Sequence, residues 1–354
     1  MPPTHRSMRA EPIVSKAIAD RVFPGAVIEA GRCSAPLFTH AAGRQTYQGG
    51  AAPVDAATIY DLASLTKVLA TTAMIAGEVT SCRVRLDDRV RHWIHGWTGE
   101  DRQAVTLRDL LEHASGLPGH RPYFKNRSGR PSIETAICEE PLAYPPRTAS
   151  IYSDPGFMLL GFALENAAGM PLDRLFDTWR DRELGRGTEV AYRPPDAWRP
   201  RMAPTENTDH GGVRCGEVHD ENAAALGGVA AHAGLFGTAS AVGACARWWM
   251  QSPSLSLFAT KSSVPGSSRA LGWDTMLPTS SCGSMMSPHA IGHTGFTGTS
   301  LWIDPEEDLY VVILTNRVHP TRGDGSAQEA MRRVRRELHD AIVSDLRGGA
   351  AGPA

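Results

Sequence analysis

The chain predicts an α/β body interrupted by a helical insertion, and three observations carry that prediction. Helical and strand-like segments recur near both ends, the middle is helical and punctuated by Gly and Pro, and 42% of the 354 residues are hydrophobic. That is enough apolar material for a sizeable core in one large domain or two interleaved ones. The elements follow in order. Ile13, Ala17, Ile18 and Val22 share a helical face, Phe23-Pro24-Gly25 breaks the pattern, and Ala26–Ala30 reads as a short strand. Pro36 to Ala42 is the returning strand of a hairpin, and Gly49-Gly50 through Asp55 is a loop. From Leu65 to Ala76 the residues are apolar, Ala-rich and free of proline, so a buried helix is expected to begin near Ser64. Further helices are expected over Leu107 to His113, Phe157 to Ala168, Leu172 to Arg182 and Ala239 to Met250. Strands are expected over Leu271 to Met276, Ser300 to Ile303 and Leu309 to Thr315. Ala327 to Leu346 has helical spacing with a charged face, and Gly348 to Ala354 reads as a frayed tail.

Charge excludes some partners. Lys plus Arg number 36 against 38 Asp plus Glu, a formal net charge of −2, so nothing global favours nucleic acid or an anionic membrane. No stretch is long and apolar enough for a membrane span, and the opening residues carry Glu11, Asp20 and Glu29 rather than a signal-peptide core. The six cysteines are widely scattered with no C-x-x-C pair, which fits free thiols in a reducing compartment. A cytoplasmic protein is therefore expected; a leader upstream of Met1 would make it periplasmic.

The sharpest local feature is Ser64-Leu65-Thr66-Lys67. Helix positions three apart share a face, so Lys67 can lie against the Ser64 hydroxyl as its proton acceptor or electrostatic partner. A serine at a helix start also lies beside free backbone N–H groups able to bind a developing oxyanion. By itself the pattern more often marks a capping serine and a solvated lysine. Two other features agree with it: Tyr152-Ser153-Asp154 in a loop ahead of a helix, and His293-Thr294-Gly295 ahead of a strand. The three lie in order, roughly 90 and 140 residues apart.

With these motifs the chain resembles the serine β-lactamase and penicillin-binding-protein superfamily, in its class C-like branch of esterases, D-alanine carboxypeptidases and related hydrolases. Phe23–Ala26, Leu107–Leu117, Gly216–Ala223 and Gly292–Ser300 look like that branch too, so the similarity spans about residues 12 to 345. The resemblance implies a β-lactamase-like fold, an antiparallel sheet flanked by helices and built from both chain ends (12–75 and 265–345). A mostly helical domain (76–264) would be inserted, a flexible tail (346–354) would follow, and the active site would lie in the groove between domains. It implies Ser64 as nucleophile, Lys67 and Tyr152 as proton-handling groups, and an oxyanion hole from the backbone N–H groups of Ser64 and Phe296. Asp154, His293, Thr294 and Gly295 would contact substrate. Lys67 is either a neutral base or a cation that stabilises a Tyr152 phenolate.

Two positions depart from the family. His293 replaces the usual lysine and Asp154 the usual asparagine, so the groove is expected to be less cationic and to favour neutral acyl substrates; the competing role for Asp154 is to pair with Lys67 and hold it charged. The expected function is a serine hydrolase acting through an acyl-enzyme on carboxylic esters or related small acyl substrates. A D-Ala-D-Ala carboxypeptidase or weak β-lactamase is the alternative, and a penicillin or peptidoglycan sensor without turnover is the second. No cofactor is implied. His210, His219, Asp220, Glu221 and His232 lack the i, i+4 histidine pair of a zinc site, so no metal is expected and Asp220 is read as a helix cap. Trp93, Trp97 and Tyr123 are offered as lining for an acyl pocket.

Overall fold

The structure, a computed structural model, describes residues 9–208 and 212–348. Nine strands lie along the chain: β1 (Gly25–Gly31), β2 (Pro36–Gly43), β3 (Tyr60–Asp61), β4 (Val190–Tyr192), β5 (Leu235–Gly237), β6 (Asp274–Thr275), β7 (Ile291–Thr294), β8 (Ser300–Asp304) and β9 (Leu309–Thr315). Six form one antiparallel sheet in the order β2-β1-β9-β8-β7-β6, which joins both ends of the chain. This is the β-lactamase-like α/β fold. The remaining three form a small second sheet, β3-β5-β4, that the sequence reading did not anticipate. Strands of two or three residues carry too little alternation to be recognised by period.

The central strands β1 and β9 are buried along their whole length, because both sheet faces are covered. Side-chain alternation sorts them. Ala26, Ile28, Val311 and Ile313 pack with Val14 and Ala17 of helix Ala10–Ala19 and with Val334, Leu338 and Ile342 of helix Gly325–Gly348. Val27, Val312 and Leu314 point the other way, into the larger core with Val242, Cys245 and Trp249 of helix Ala239–Gln251. At about 25 cal/mol per Å² of apolar surface removed from water, this double coverage anchors the centre of the sheet.

Several boundaries differ from expectation. The buried helix after Ser64 is three segments: a 3₁₀ turn at Ala63–Leu65, a π stretch at Lys67–Thr71 and an α-helix at Thr72–Thr80. The helix placed from Phe157 starts three residues earlier, at Asp154, where the Ser153 hydroxyl accepts the Gly156 N–H and Pro155 occupies the first turn. It ends at Gly169 in the left-handed conformation, and Pro155 through Leu164 are all buried, as befits a helix apolar on every side. The helix expected to reach His113 stops at Leu111, and the strand expected over Leu271 to Met276 shrinks to β6, since Gly272 has positive φ (80°) and bends the chain. Helix Gly325–Gly348 takes in the first three residues of the tail expected over 346–354, and residues 349–354 lie outside the described ones. Among the described residues all six cysteines are free, and no helix is long and apolar enough to cross a membrane.

Candidate active site

Ser64 stands in a turn held by a buried carboxylate. Asp61 ends β3, and its side chain accepts the Ala63 N–H (2.8 Å) and the His219 N–H (2.7 Å). These bonds hold Ala63 at φ 46°, a conformation that a residue with a Cβ seldom adopts, immediately before the serine. From the π stretch, Lys67 reaches back with no exposed surface, and its Nζ donates to Asp154 Oδ1 (2.8 Å), the His232 carbonyl (3.0 Å) and Ser64 Oγ (3.2 Å). Three acceptors use the three protons of an ammonium group. Burial works against the charge, but Asp154 and Tyr152 outweigh it and raise the Lys67 pKa. Burial likewise disfavours the Asp154 carboxylate, and Lys67 and His120 more than offset it, holding its pKa well below the usual range. The competing role for Asp154, charge partner of Lys67, is the one the geometry displays.

Tyr152 sits in a cage of rings and cations. His113 lies 4.7 Å and His293 5.8 Å from its ring centroid, Lys67 Nζ is 4.8 Å away, and the Arg269 guanidinium is 5.1 Å away. Burial pushes the phenol pKa up; the Lys67 charge, with hydrogen bonding to Lys67 and Ser64, pulls it down without cancelling the rise. Both histidines are neutral near pH 7. Burial first, then the charges of Arg269 and Lys67, lowers each well below the ordinary value. His293 Nδ1 donates to the Thr294 carbonyl (2.9 Å), whereas His113 Nδ1 accepts the Ser153 N–H (2.9 Å).

The opposite wall comes from β7 and the turn after it. Thr297 Oγ1 donates to the Asp61 carbonyl (2.7 Å) and Thr299 Oγ1 to the Leu62 carbonyl (3.1 Å). The turn carrying Phe296 is thereby tied to the segment carrying Ser64, 232 positions away in sequence. Gly295 is required there, because a Cβ would come within 2.7 Å of the Leu62 carbonyl oxygen.

Ser64, Tyr152, Asp154, His293, Thr294, Gly295 and Phe296 all line one groove of roughly 580 Å³, with Lys67 buried behind its floor. All the residues singled out from sequence for chemistry thus meet. The groove also holds residues that were not foreseen: His120, whose Nδ1 is 3.8 Å from Asp154 Oδ2, and Arg269, Arg317, Arg322 and Arg335. Asp154, Asp220, Glu221 and Asp274 line the same groove, which therefore carries charges of both signs. Arg269 is paired with Asp274 and Arg322 with Glu206 and Glu221, but Arg317 and Arg335 have no carboxylate partner among the described residues. In a chain whose basic residues are mostly arginine, no single one stands out in sequence. Arg335 nevertheless had a signal, for it falls on the apolar stripe of its helix with Met331, Leu338 and Ile342.

The acyl-pocket guess fails. Trp97 lines a different depression of about 700 Å³ with Asp87, His92 and Glu100, Tyr123 is buried against Glu140, and Trp93 packs on the core. Asp220 caps helix Glu221–Ala225 by accepting the Ala223 N–H (2.8 Å) and also meets His232 Nε2 (2.9 Å); His219 meets Glu206 instead. Among the described residues no three such groups converge as metal ligands, and His210 lies outside them.

Known proteins are similar to this chain in sequence and in fold. A relative from Escherichia coli (strain K12), named "Putative D-alanyl-D-alanine carboxypeptidase", is 33% identical over 312 residues, covering 75% of this chain and 71% of the relative. In fold the chain is similar to a class C beta lactamase from Rhodobacter sphaeroides (TM-score 0.75, 18% identity, 96% and 99% of the two chains). It is also similar to "EstCE1, a hydrolase with promiscuous acyltransferase activity" (TM-score 0.73, 19% identity, 93% and 97%). A family model described as Beta-lactamase matches residues 10–336, and the chain is accordingly a serine hydrolase of the beta-lactamase family.

Proposed function

We propose that Ser64 is the nucleophile of an acyl-transfer reaction that hydrolyses carboxylic esters or related acyl substrates. The observation that carries this reading is the contact of Lys67 Nζ with Ser64 Oγ at 3.2 Å, in a groove whose facing wall is His293 to Phe296. Oγ attacks the substrate carbonyl carbon, the carbonyl oxygen becomes an oxyanion between the N–H groups of Ser64 and Phe296, and the bond to the leaving group breaks as the carbonyl re-forms. An ammonium with all three protons donated has no lone pair to accept another. Lys67 therefore serves as a fixed charge, and the Oγ proton passes to the Tyr152 phenolate and on to the leaving group. Water then attacks the acyl-enzyme by the same steps in reverse.

A D-Ala-D-Ala carboxypeptidase is the second reading. It is favoured by the name that the 33% identical relatives carry. Intact-protein mass of wild type and Ser64→Ala, after brief incubation with p-nitrophenyl acetate, a D-Ala-D-Ala peptide or benzylpenicillin, separates the readings when free product is followed alongside. A transient Ser64-dependent acetyl adduct with p-nitrophenol release supports the ester reading. Faster D-alanine release moves the assignment to the carboxypeptidase, and a lasting penicillin adduct to a sensor. Turnover by Ser64→Ala overturns all three.

A further inference from the structure

Arg335 is the odd residue in its surroundings. It lies on the apolar stripe of helix Gly325–Gly348, only 9% exposed, and a methionine or leucine would suit the stripe better. A buried guanidinium without a counter-charge is costly unless its protons are used. Two of them are: Nη2 donates to the carbonyls of Gly295 (3.1 Å) and Thr299 (2.8 Å). Burial and the like charge of Arg317 pull its pKa down to about 9, so it remains cationic at neutral pH.

The Gly295 carbonyl and the Phe296 N–H are two ends of one peptide group. Donation to the oxygen increases the double-bond character of the C–N bond and leaves the N–H more positive, and a charged donor does this more strongly than a neutral one. That peptide and the two flanking it are held by further bonds. The Gly298 N–H also donates to the Gly295 carbonyl (3.1 Å), the Gly295 N–H donates to Thr299 (2.7 Å), and Arg317 Nη2 donates to the Phe296 carbonyl (2.6 Å).

We infer that Arg335 is a positioning residue for acyl transfer, whose guanidinium, lodged behind the Gly295–Phe296 peptide, orients and polarises the N–H that meets the substrate oxyanion. The inference rests on the assignment of that N–H to the oxyanion hole made above. It concerns the transition state, so its signature is in kcat and in the binding of a tetrahedral adduct, not in KM.

The test compares wild type with Arg335→Lys, Arg335→Gln and Arg335→Met. p-Nitrophenyl acetate gives kcat and KM, and phenylboronic acid, whose boron accepts Ser64 Oγ to form a tetrahedral anion, gives a dissociation constant. Gln and Met are expected to lower kcat by about tenfold to a hundredfold, less than the hundredfold to thousandfold of losing an oxyanion donor outright. Boronate affinity should fall by a similar factor, KM should stay within about threefold, and Lys should recover at least half of the logarithmic loss. Folded Gln and Lys variants with wild-type kcat and boronate affinity overturn the inference. So does a loss confined to KM, or a failure of all three variants to fold, which assigns Arg335 to the fold alone. Wild type that forms neither product nor a Ser64-dependent boronate adduct overturns the acyl-transfer reading itself, and this inference with it.

Discussion

Lys67 is held by three acceptors at 2.8 to 3.2 Å, and that count determines what it can do. Removing Asp154 leaves a buried ammonium without its counter-charge, so Asp154→Ala should cost about 3–5 kcal/mol of stability, read as a lower denaturant midpoint at unchanged slope. Lys67→Met and Tyr152→Phe should each lower kcat/KM on an activated ester by about 10²- to 10⁴-fold, the range of positioned acid–base groups. The pH profile separates their roles. Burial raises the Tyr152 pKa above the ordinary phenol value of 10.0 despite the nearby cation, so the phenolate is a minor species at neutral pH that grows with rising pH. In wild type, log kcat/KM should therefore climb with a slope of about one from pH 7 into the alkaline range, and Tyr152→Phe should abolish the climb. A plateau already reached at pH 7 would assign the proton to another acceptor.

Between elements, close approach decides the outcome of two glycine substitutions. Gly161, in helix Asp154–Ala168, has a position for a Cβ only 2.6 Å from the Ala231 side chain. Helix propensity alone would make Gly161→Ala stabilising by about 1 kcal/mol, whereas overpacking costs typically 1–3 kcal/mol. The clash is with a Cβ close to the backbone that has no rotamer to escape by, so the net effect should be destabilising, seen as a lower Tm. It should also slow catalysis, because the neighbouring carbonyls of Ala231 and His232 accept from Thr71 and Lys67. Gly295→Ala should show the reverse balance. Its Cβ would push apart the turn of Phe296 and the Leu62 carbonyl, so turnover of the ester should fall further than Tm does.

For the molecule as a whole, acid stability is governed by buried histidines. His113, His293 and His339 are all buried and held below their ordinary pKa of 6.5, each by desolvation first, His339 to about 4. A depressed folded pKa means that the unfolded chain binds the proton more readily. The stabilisation is complete above about pH 6.5 and is lost as the pH falls toward and through the folded values. For His339 the shift is worth on the order of 3 kcal/mol by pH 4. Asp154 adds a loss that begins as the pH falls through the ordinary carboxylate range and continues below it, since its folded pKa is also depressed. Urea midpoints should therefore start to fall near pH 6, well above the acid limb expected from carboxylates alone. A midpoint constant from pH 7 to pH 4.5 would contradict the burial of these rings.

What was legible in the sequence is what local spacing encodes. Ser64 and Lys67 are three apart, on one face of a 3₁₀ or α turn, and the continuous apolar run of Leu309–Thr315 defines a strand buried on both sides. The order of the three motifs carried the family and hence the sheet built from both chain ends. The tertiary structure alone decided the charge state of Lys67, because Asp154 and the His232 carbonyl reach it from 87 and 165 positions away. It also decided the neutrality of His113 and His293, the placement of Arg317 and Arg335 beside the groove, and the break of the Ser64 helix into 3₁₀, π and α segments. Spacing along the chain specifies which side chains share a face, but desolvation and Coulomb terms depend on distances through space, and those exist only once the fold has closed.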